Sequence, residues 1–479
     1  MRERTLSEIA SVMGGTVRAS GAEAVTARTV TTDSRAAGPG ALFVALPGES
    51  SDGHVFVGGA LTAGASGAIV RRGSAVEGDA ARLLDVDDPG RGLLDLAADE
   101  RSSLHCVVFG VTGSTGKTCT KDFLASVLGQ GFDVVASPAS FNNEVGLPLT
   151  LLSASPETEA IVCEMGARGP GHIRLLCEVA RPSIGVVTNV GVAHLELFGS
   201  PEILRDAKAE LPESLPADGV AILNGDDPTV RSYRDRTPAR VVLYGVSSDD
   251  AGVRGSDVTV DRATGRAGFR LVTPDGAAVV RLPFPGEHMV PNALAAAAAG
   301  WAMGLSAGQI ARGLEGASIS AGRMEVFEAP GGVRVIDDAY NANPASMAAA
   351  LRAARWMAGD GRCVAVLGHM AELGTISIEE HERVGELLAR LGIDELVTVG
   401  EQARLIASGA EREGVEPERI HRAGSATEAL EILREVLRPA DVVLVKASRV
   451  VRLERISEAL RTSEPAAIER IAGANGVGA

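Results

Sequence analysis

Lysine is unusually scarce in this 479-residue sequence. Lys and Arg together number 46, yet lysine stands only at positions 117, 121, 208 and 446. Arginine has taken nearly every general cationic role. Each remaining lysine is therefore a candidate for work that a guanidinium cannot do, as a compact point charge or a nucleophilic amine. Aromatics are also scarce, at 3%, within an otherwise ordinary globular composition. Basic charge is in deficit: the formal net charge is -16. That argues against a nucleic-acid surface, which needs clustered cations, but it leaves room for a small anion in a local pocket. No membrane-length apolar run exists; the most apolar stretch, ALAAAAAGWAMG, is too short to span a bilayer. No signal peptide is visible, because MRERTLSEIA runs straight into a capping-box pattern at Thr5 and Glu8. The cysteines at 106, 119, 163, 177 and 363 form no C-x-x-C pair. They read as buried thiols of a reducing cytosol, not as a disulfide frame.

The length suggests about three domains. The fold class is α/β, with an N-terminal unit over 1–103, a central unit over 104–320 and a C-terminal unit over 321–479. In the first, the strand ALFVAL lies between two glycine-rich turns. In the second, HCVVFGV, AIVCEM, SIGVVTNV and VAILN are buried-strand runs alternating with helices, which predicts a parallel sheet. DVTV, AGFRLV and AAVVRL, separated by turns, predict a small antiparallel patch at its edge. The Ala-rich stretch 291–304 reads as a helix. The third unit alternates again, through VRVIDDAY, RCVAVLG, ELVTVG and DVVLVKAS, as a Rossmann-like doubly wound sheet. The tail after about 463 reads as loose.

The stretch GVTGSTGKTCTK resembles a phosphate cradle with displaced glycines. The common P-loop is G-x-x-x-x-G-K-[ST], whereas here the glycines fall at 110, 113 and 116. The context fits: strand, glycine turn, then a helix opening at Lys117, whose N-terminal amides favour an anion. Lys117 would reach the β- and γ-phosphates and Thr118 would ligate Mg²⁺. Glu164 ends one strand run and His194 follows another, at the sheet edge where ligands bind in open α/β folds. With Thr118 they form a candidate cation site. Lys208 lies in EILRDAKAEL, where a solvated salt-bridge face is the plain alternative to a functional amine. In VIDDAYNANP two adjacent aspartates reach a strand end; they could hold ribose hydroxyls, a metal or a cationic group, or cap a helix. Lys446 and Arg449 end another strand at the same edge.

Taken in order, TTDSR, GALFVALPGE, GVTGSTGKT, FNNEVGLPLTLL, EMGA, TNVGVAHLE, LNGDDP, GRME, DDAYNANPASM and VLVKASR resemble the Mur ligases of peptidoglycan synthesis over nearly the whole chain. Within that family the match is to the branch that adds D-alanyl-D-alanine, because DDAYNANP is present and the D-N-P-[RN] tetrapeptide of the diaminopimelate-adding relative is not. The resemblance implies an ATP-dependent cytoplasmic enzyme. In such enzymes a carboxylate of UDP-N-acetylmuramoyl-tripeptide becomes an acyl phosphate, and the amine of D-alanyl-D-alanine attacks it. It implies that the displaced glycines still hold ATP, through Gly113, Ser114, Thr115, Gly116, Lys117 and Thr118. It implies two Mg²⁺ ions near Thr118, Glu164, His194 and Lys208, with Lys208 carbamylated by CO₂. It further implies nucleotide contacts at Asn292, Arg323 and Asp338. It also implies substrate contacts at Ser34, Arg35, Asn142, Asn143, Asn341, Asn343 and Lys446. A monomer is expected.

The sequence departs from the family pattern at Thr115, Cys119, Met289, His369 and Ala447, none of which removes a group the chemistry requires. A folylpolyglutamate-synthetase-like ligase, an ATP-dependent kinase using the same loop, and a nucleotide-binding regulator without activity are the competing readings. The TTDSR…DGH segment argues against the first, and intact Lys117, Glu164, His194 and Lys208 against the last.

Overall fold

The computed structural model describes residues 1–21, 24–48, 51–191 and 195–462. His194 and the tail from 463 lie outside the described residues.

Three main sheets follow one another along the chain. The N-terminal sheet has five strands, in the spatial order Thr16–Val17, Leu83–Val86, Gly67–Arg71, Ala41–Val44, Thr29–Thr31, parallel except for the first pair. The expected capping box forms, with Thr5 and Glu8 closing the start of the helix Leu6–Val12.

The central sheet has nine strands. Its parallel part runs from Val253–Val260 through Arg240–Gly245, Val220–Asn224, Ile184–Val187, Val107–Thr112 and Ala160–Glu164 to Val134–Ala136. Arg266–Thr273 and Gly276–Pro285 extend it antiparallel at the edge. The expected patch is therefore a continuation of the same sheet. The C-terminal sheet orders Glu325–Ala329, Val333–Asp337, Val442–Lys446, Cys363–Gly368, Glu395–Val399 and Ile420–Ala423, with only the first pair antiparallel.

Parallel strands bury both faces, so continuous apolar runs place Phe109, Val111, Val162 and Val186 in one core. The helix Lys117–Leu128 lays Phe123, Leu124, Val127 and Leu128, all fully buried, onto that core. Each such side chain is worth about 1.5–3 kcal/mol on burial. Phe123 meets Phe284 edge to face at 6.2 Å. The Ala-rich helix, Met289–Ala302, packs against the same helix. The apolar cores do not stop at the domain borders. One runs from the central sheet into the C-terminal one, and a second joins the N-terminal unit to the other face of the central sheet.

Four cysteines are buried as expected. Cys106 is the correction: it is only half-buried, because it precedes the first central strand instead of lying within it. Burial pushes the Cys119 thiol up to about 11, and those of Cys163, Cys177 and Cys363 up to about 12. Among the described residues no helix is long and apolar enough to cross a membrane.

Candidate active site

The parallel register brings Val187 opposite Thr112 and Glu164 opposite Val111. Three strands thus release their loops at one edge, and a cavity of about 680 Å³ opens there between the central and C-terminal domains.

The displaced glycines are explained by what surrounds them. Gly110 lies within the strand, where a Cβ would press on Leu211 and Met165. Gly113 and Gly116 shape the loop, with φ of 144° and 78°. A Cβ at Gly113 would come within 2.0 Å of Thr188 Oγ1, and one at Gly116 within 2.2 Å of Asn292 Oδ1. The loop needs glycine at these two points, whatever the spacing to the lysine. Asn189 clasps it: its backbone carbonyl accepts from Ser114 N–H (2.9 Å) and its side-chain oxygen from Thr115 N–H (2.9 Å).

Ser114, Thr115, Gly116, Lys117 and Thr118 line the cavity; Gly113 lies behind it as an acceptor. The Lys117 ammonium donates to the Gly113 carbonyl at 2.8 Å. Burial pulls its pKa below that of a free lysine, with Glu164 opposing the change. Thr118 Oγ1 donates to Glu164 Oε2 at 2.7 Å, and Asn142 Nδ2 to Glu164 Oε1 at 2.8 Å. Glu164 is buried, and both its oxygens are engaged.

Lys208 also lines the cavity, from the helix Pro201–Glu213. The solvated-face reading fails here: the side chain is 1% exposed. Among the described residues it has no hydrogen-bond or ion-pair partner. Burial first, and the nearby Lys117 charge second, drive its pKa well below the usual lysine value.

Asn142, Asn143 and Asn292 complete the central-domain wall. Asn143 Oδ1 accepts from Val145 and Gly146 N–H. The facing wall is C-terminal: Arg323, Asp338, Asn341, Asn343 and Lys446. The two aspartates divide. Asp337 is buried and caps Ala339 N–H, while Asp338 faces the cavity and pairs with buried Lys446. Asn343 caps the helix Pro344–Ala358 through Ser346. Arg323 lies over the Tyr340 ring at 4.2 Å, and its Nε is buried without a partner. Ser34 and Arg35 do not line this cavity. They sit in an exposed turn of the N-terminal domain, where Arg35 pairs with Asp33.

The cavity also contains residues to which the sequence reading gave no role. His288 lines it beside Met289, and burial lowers its pKa. Ser140, in the central domain, hydrogen-bonds the Tyr340 hydroxyl across the cleft. Tyr340 lay within a quoted motif, but nothing local marked Ser140. His369 does not line the cavity. Ala447 packs against Gly368.

The donors suit a hard cation. A hydroxyl and a carboxylate converge, and a bound nucleotide would add phosphate oxygens, the usual setting for Mg²⁺. Among the described residues no three His, Cys, Asp or Glu side chains gather at one point.

Comparison with known proteins agrees across all three domains. Residues 26–100 match the Mur ligase family catalytic domain, 111–300 the Mur ligase middle domain, and 322–449 the Mur ligase glutamate ligase domain. The UDP-N-acetylmuramoyl-tripeptide–D-alanyl-D-alanine ligase of Mycobacterium tuberculosis is 43% identical, over 96% of this chain and 98% of its own length. A crystal structure of MurF from Acinetobacter baumannii superposes with a TM-score of 0.84 at 31% identity, over 96% of this chain and 99% of that one. The MurF ligase of Thermotoga maritima, solved in complex with ADP, gives 0.77 at 30% identity, over 93% and 98%. The chain belongs to the Mur ligase family, in the branch of the UDP-N-acetylmuramoyl-tripeptide–D-alanyl-D-alanine ligases.

Proposed function

We propose that this chain uses ATP to join the tripeptide carboxylate of UDP-N-acetylmuramoyl-tripeptide to the amine of D-alanyl-D-alanine, through an acyl phosphate. The single observation that carries the reading is Lys208. It is a buried amine with depressed basicity, facing the Lys117 loop and the Thr118–Glu164 pair across one cavity.

A carboxylate and a γ-phosphate repel, so positive charge must stand between them. Lys117 and the amides that open its helix supply part of it. Thr118 and Glu164 would hold Mg²⁺, together with His194 and Lys208 in our assignment. When bound, the ion neutralises phosphate charge. Only a neutral amine adds CO₂: the nitrogen lone pair forms the N–C bond, a proton leaves, and the lysine becomes an anion able to hold a second cation. Burial of Lys208 favours that neutral form. Arg323, with its free buried Nε, suits a phosphate oxygen, and Asn292 and Asp338 would hold the rest of the nucleotide. Asn142, Asn143, Asn341, Asn343 and Lys446 would orient the peptide partners, and Ser34 and Arg35 the UDP end. Attack by the amine expels phosphate and leaves an amide, with ADP as the second product. We place this reaction in the cytoplasm, carried out by a monomer.

A phosphate-release assay tests the reading. Mg-ATP with both partners should yield equal amounts of ADP, phosphate and UDP-muramoyl-pentapeptide, with no sustained release when D-alanyl-D-alanine is omitted. ADP without joined product would overturn it. Diaminopimelate- and lysine-containing tripeptides assayed side by side will identify the third residue.

A further inference from the structure

Lys121 is the one of the four lysines that the proposed chemistry leaves without a task. Its side chain is 3% exposed. Its ammonium donates to the Ser137 carbonyl at 2.7 Å and pairs with Asp122. The other oxygen of Asp122 accepts twice from Ser320, 198 residues away: from its N–H at 2.8 Å and its hydroxyl at 2.9 Å. Ser320 lies in the linker between the central and C-terminal domains. Two residues on, the linker belongs to the other side. Gly322 carbonyl accepts from Tyr340 N–H at 3.1 Å, and Met324 N–H donates to Asp338 at 3.1 Å. The linker is thus fastened to the Lys117 helix at Ser320 and to the C-terminal domain from Gly322. Only Ala321 stands between these fastenings.

Arg323 follows at once, stacked on Tyr340 and lining the cavity. We propose that Asp122, held in place by Lys121, is a positioning residue: it ties the linker to the nucleotide-loop helix and so sets where Arg323 stands over that loop. The carboxylate is chemically apt. It accepts from three donors at once, the Lys121 ammonium and both Ser320 groups. An asparagine has one acceptor oxygen and would turn an NH₂ toward the ammonium. This inference rests on the ligase reading above.

The test is a coupled pair of losses in the full-length protein. Asp122→Ala should lower kcat about tenfold, and Arg323→Ala should lower it at least as much. If Asp122 acts through Arg323, the double variant loses no more than Arg323→Ala alone, within about twofold; a merely structural role would multiply the two losses. Ser320→Ala keeps the Lys121–Asp122 pair and removes one donor, so it serves if Asp122→Ala fails to fold. Its smaller loss should likewise vanish on the Arg323→Ala background. Multiplied losses, or an unchanged kcat in both Asp122→Ala and Ser320→Ala, overturn the inference while wild-type ligation stands. Wild-type protein that joins no substrates overturns the ligase reading and this inference with it.

Discussion

Thr118 and Glu164, 46 residues apart, are joined by a hydrogen bond of 2.7 Å that links the first turn of a helix to the end of a neighbouring strand. Thr118→Val keeps the shape and deletes the donor. It leaves one oxygen of a buried carboxylate unpaired, at a cost of about 1–3 kcal/mol. The half-saturating Mg²⁺ concentration for turnover should rise about tenfold or more. A magnesium titration of phosphate release measures it.

Lys208→Arg should abolish turnover and spare ATP binding, because a guanidinium keeps charge but forms no carbamate. Isothermal titration with ATP and the coupled assay separate the two effects. Full activity in this variant would remove the carbamate from the mechanism.

Lys208 also carries a pH signature. Its folded pKa lies below the ordinary value of 10.5, so folding disfavours the protonated form. As pH falls from 10.5 toward the folded pKa, the wild type loses stability, and below that pKa the loss is constant. Each tenfold displacement of the protonation equilibrium is worth about 1.4 kcal/mol. In CO₂-free buffer, Lys208→Met should therefore melt higher than wild type at pH 7. The difference should shrink as pH rises toward 10.5 and become independent of pH above it. Thermal melts across that range will decide.

Gly116→Ala places a methyl 2.2 Å from Asn292 Oδ1 at a φ of 78°. The backbone alone costs about 1–2 kcal/mol for a residue with a Cβ. The variant should melt lower and bind ATP at least about tenfold more weakly, since the loop amides lose their aim. Calorimetry and nucleotide titration report both.

Lys117→Ala should weaken ATP binding and lower acyl-phosphate formation by about 100-fold or more. Unchanged nucleotide affinity would count against its place at the phosphates.

Much of this was legible in the chain. Apolar runs marked Val107–Thr112, Ala160–Glu164 and Ile184–Val187 as buried strands, because parallel sheets write burial continuously. Lysine rarity marked Lys208 despite its acidic neighbours, although its burial needed three dimensions. Edge strands were harder. Glu325–Ala329 leaves Val326 exposed and both glutamates unburied, so neither apolar alternation nor an apolar run marks it. Val134–Ala136 is only three residues long, too short for a period. Ties across the fold left no local trace. Ser140 meets Tyr340 and Asp122 meets Ser320 at separations near 200 residues, and neither Ser140 nor Asp122 stands out in its own segment.

The half-buried Cys106 has a practical consequence. Burial raises the pKa of all five thiols, Cys106 included, so what separates them is access: the other four are sealed in packed cores and Cys106 is not. A thiol-directed dye applied to the unmodified chain at mildly alkaline pH should therefore attach at one place. That place lies between the helix Pro89–Ser103 and the strand Val107–Thr112, where the first domain hands over to the second. Fluorescence there would report movement of the N-terminal lobe without any engineered cysteine.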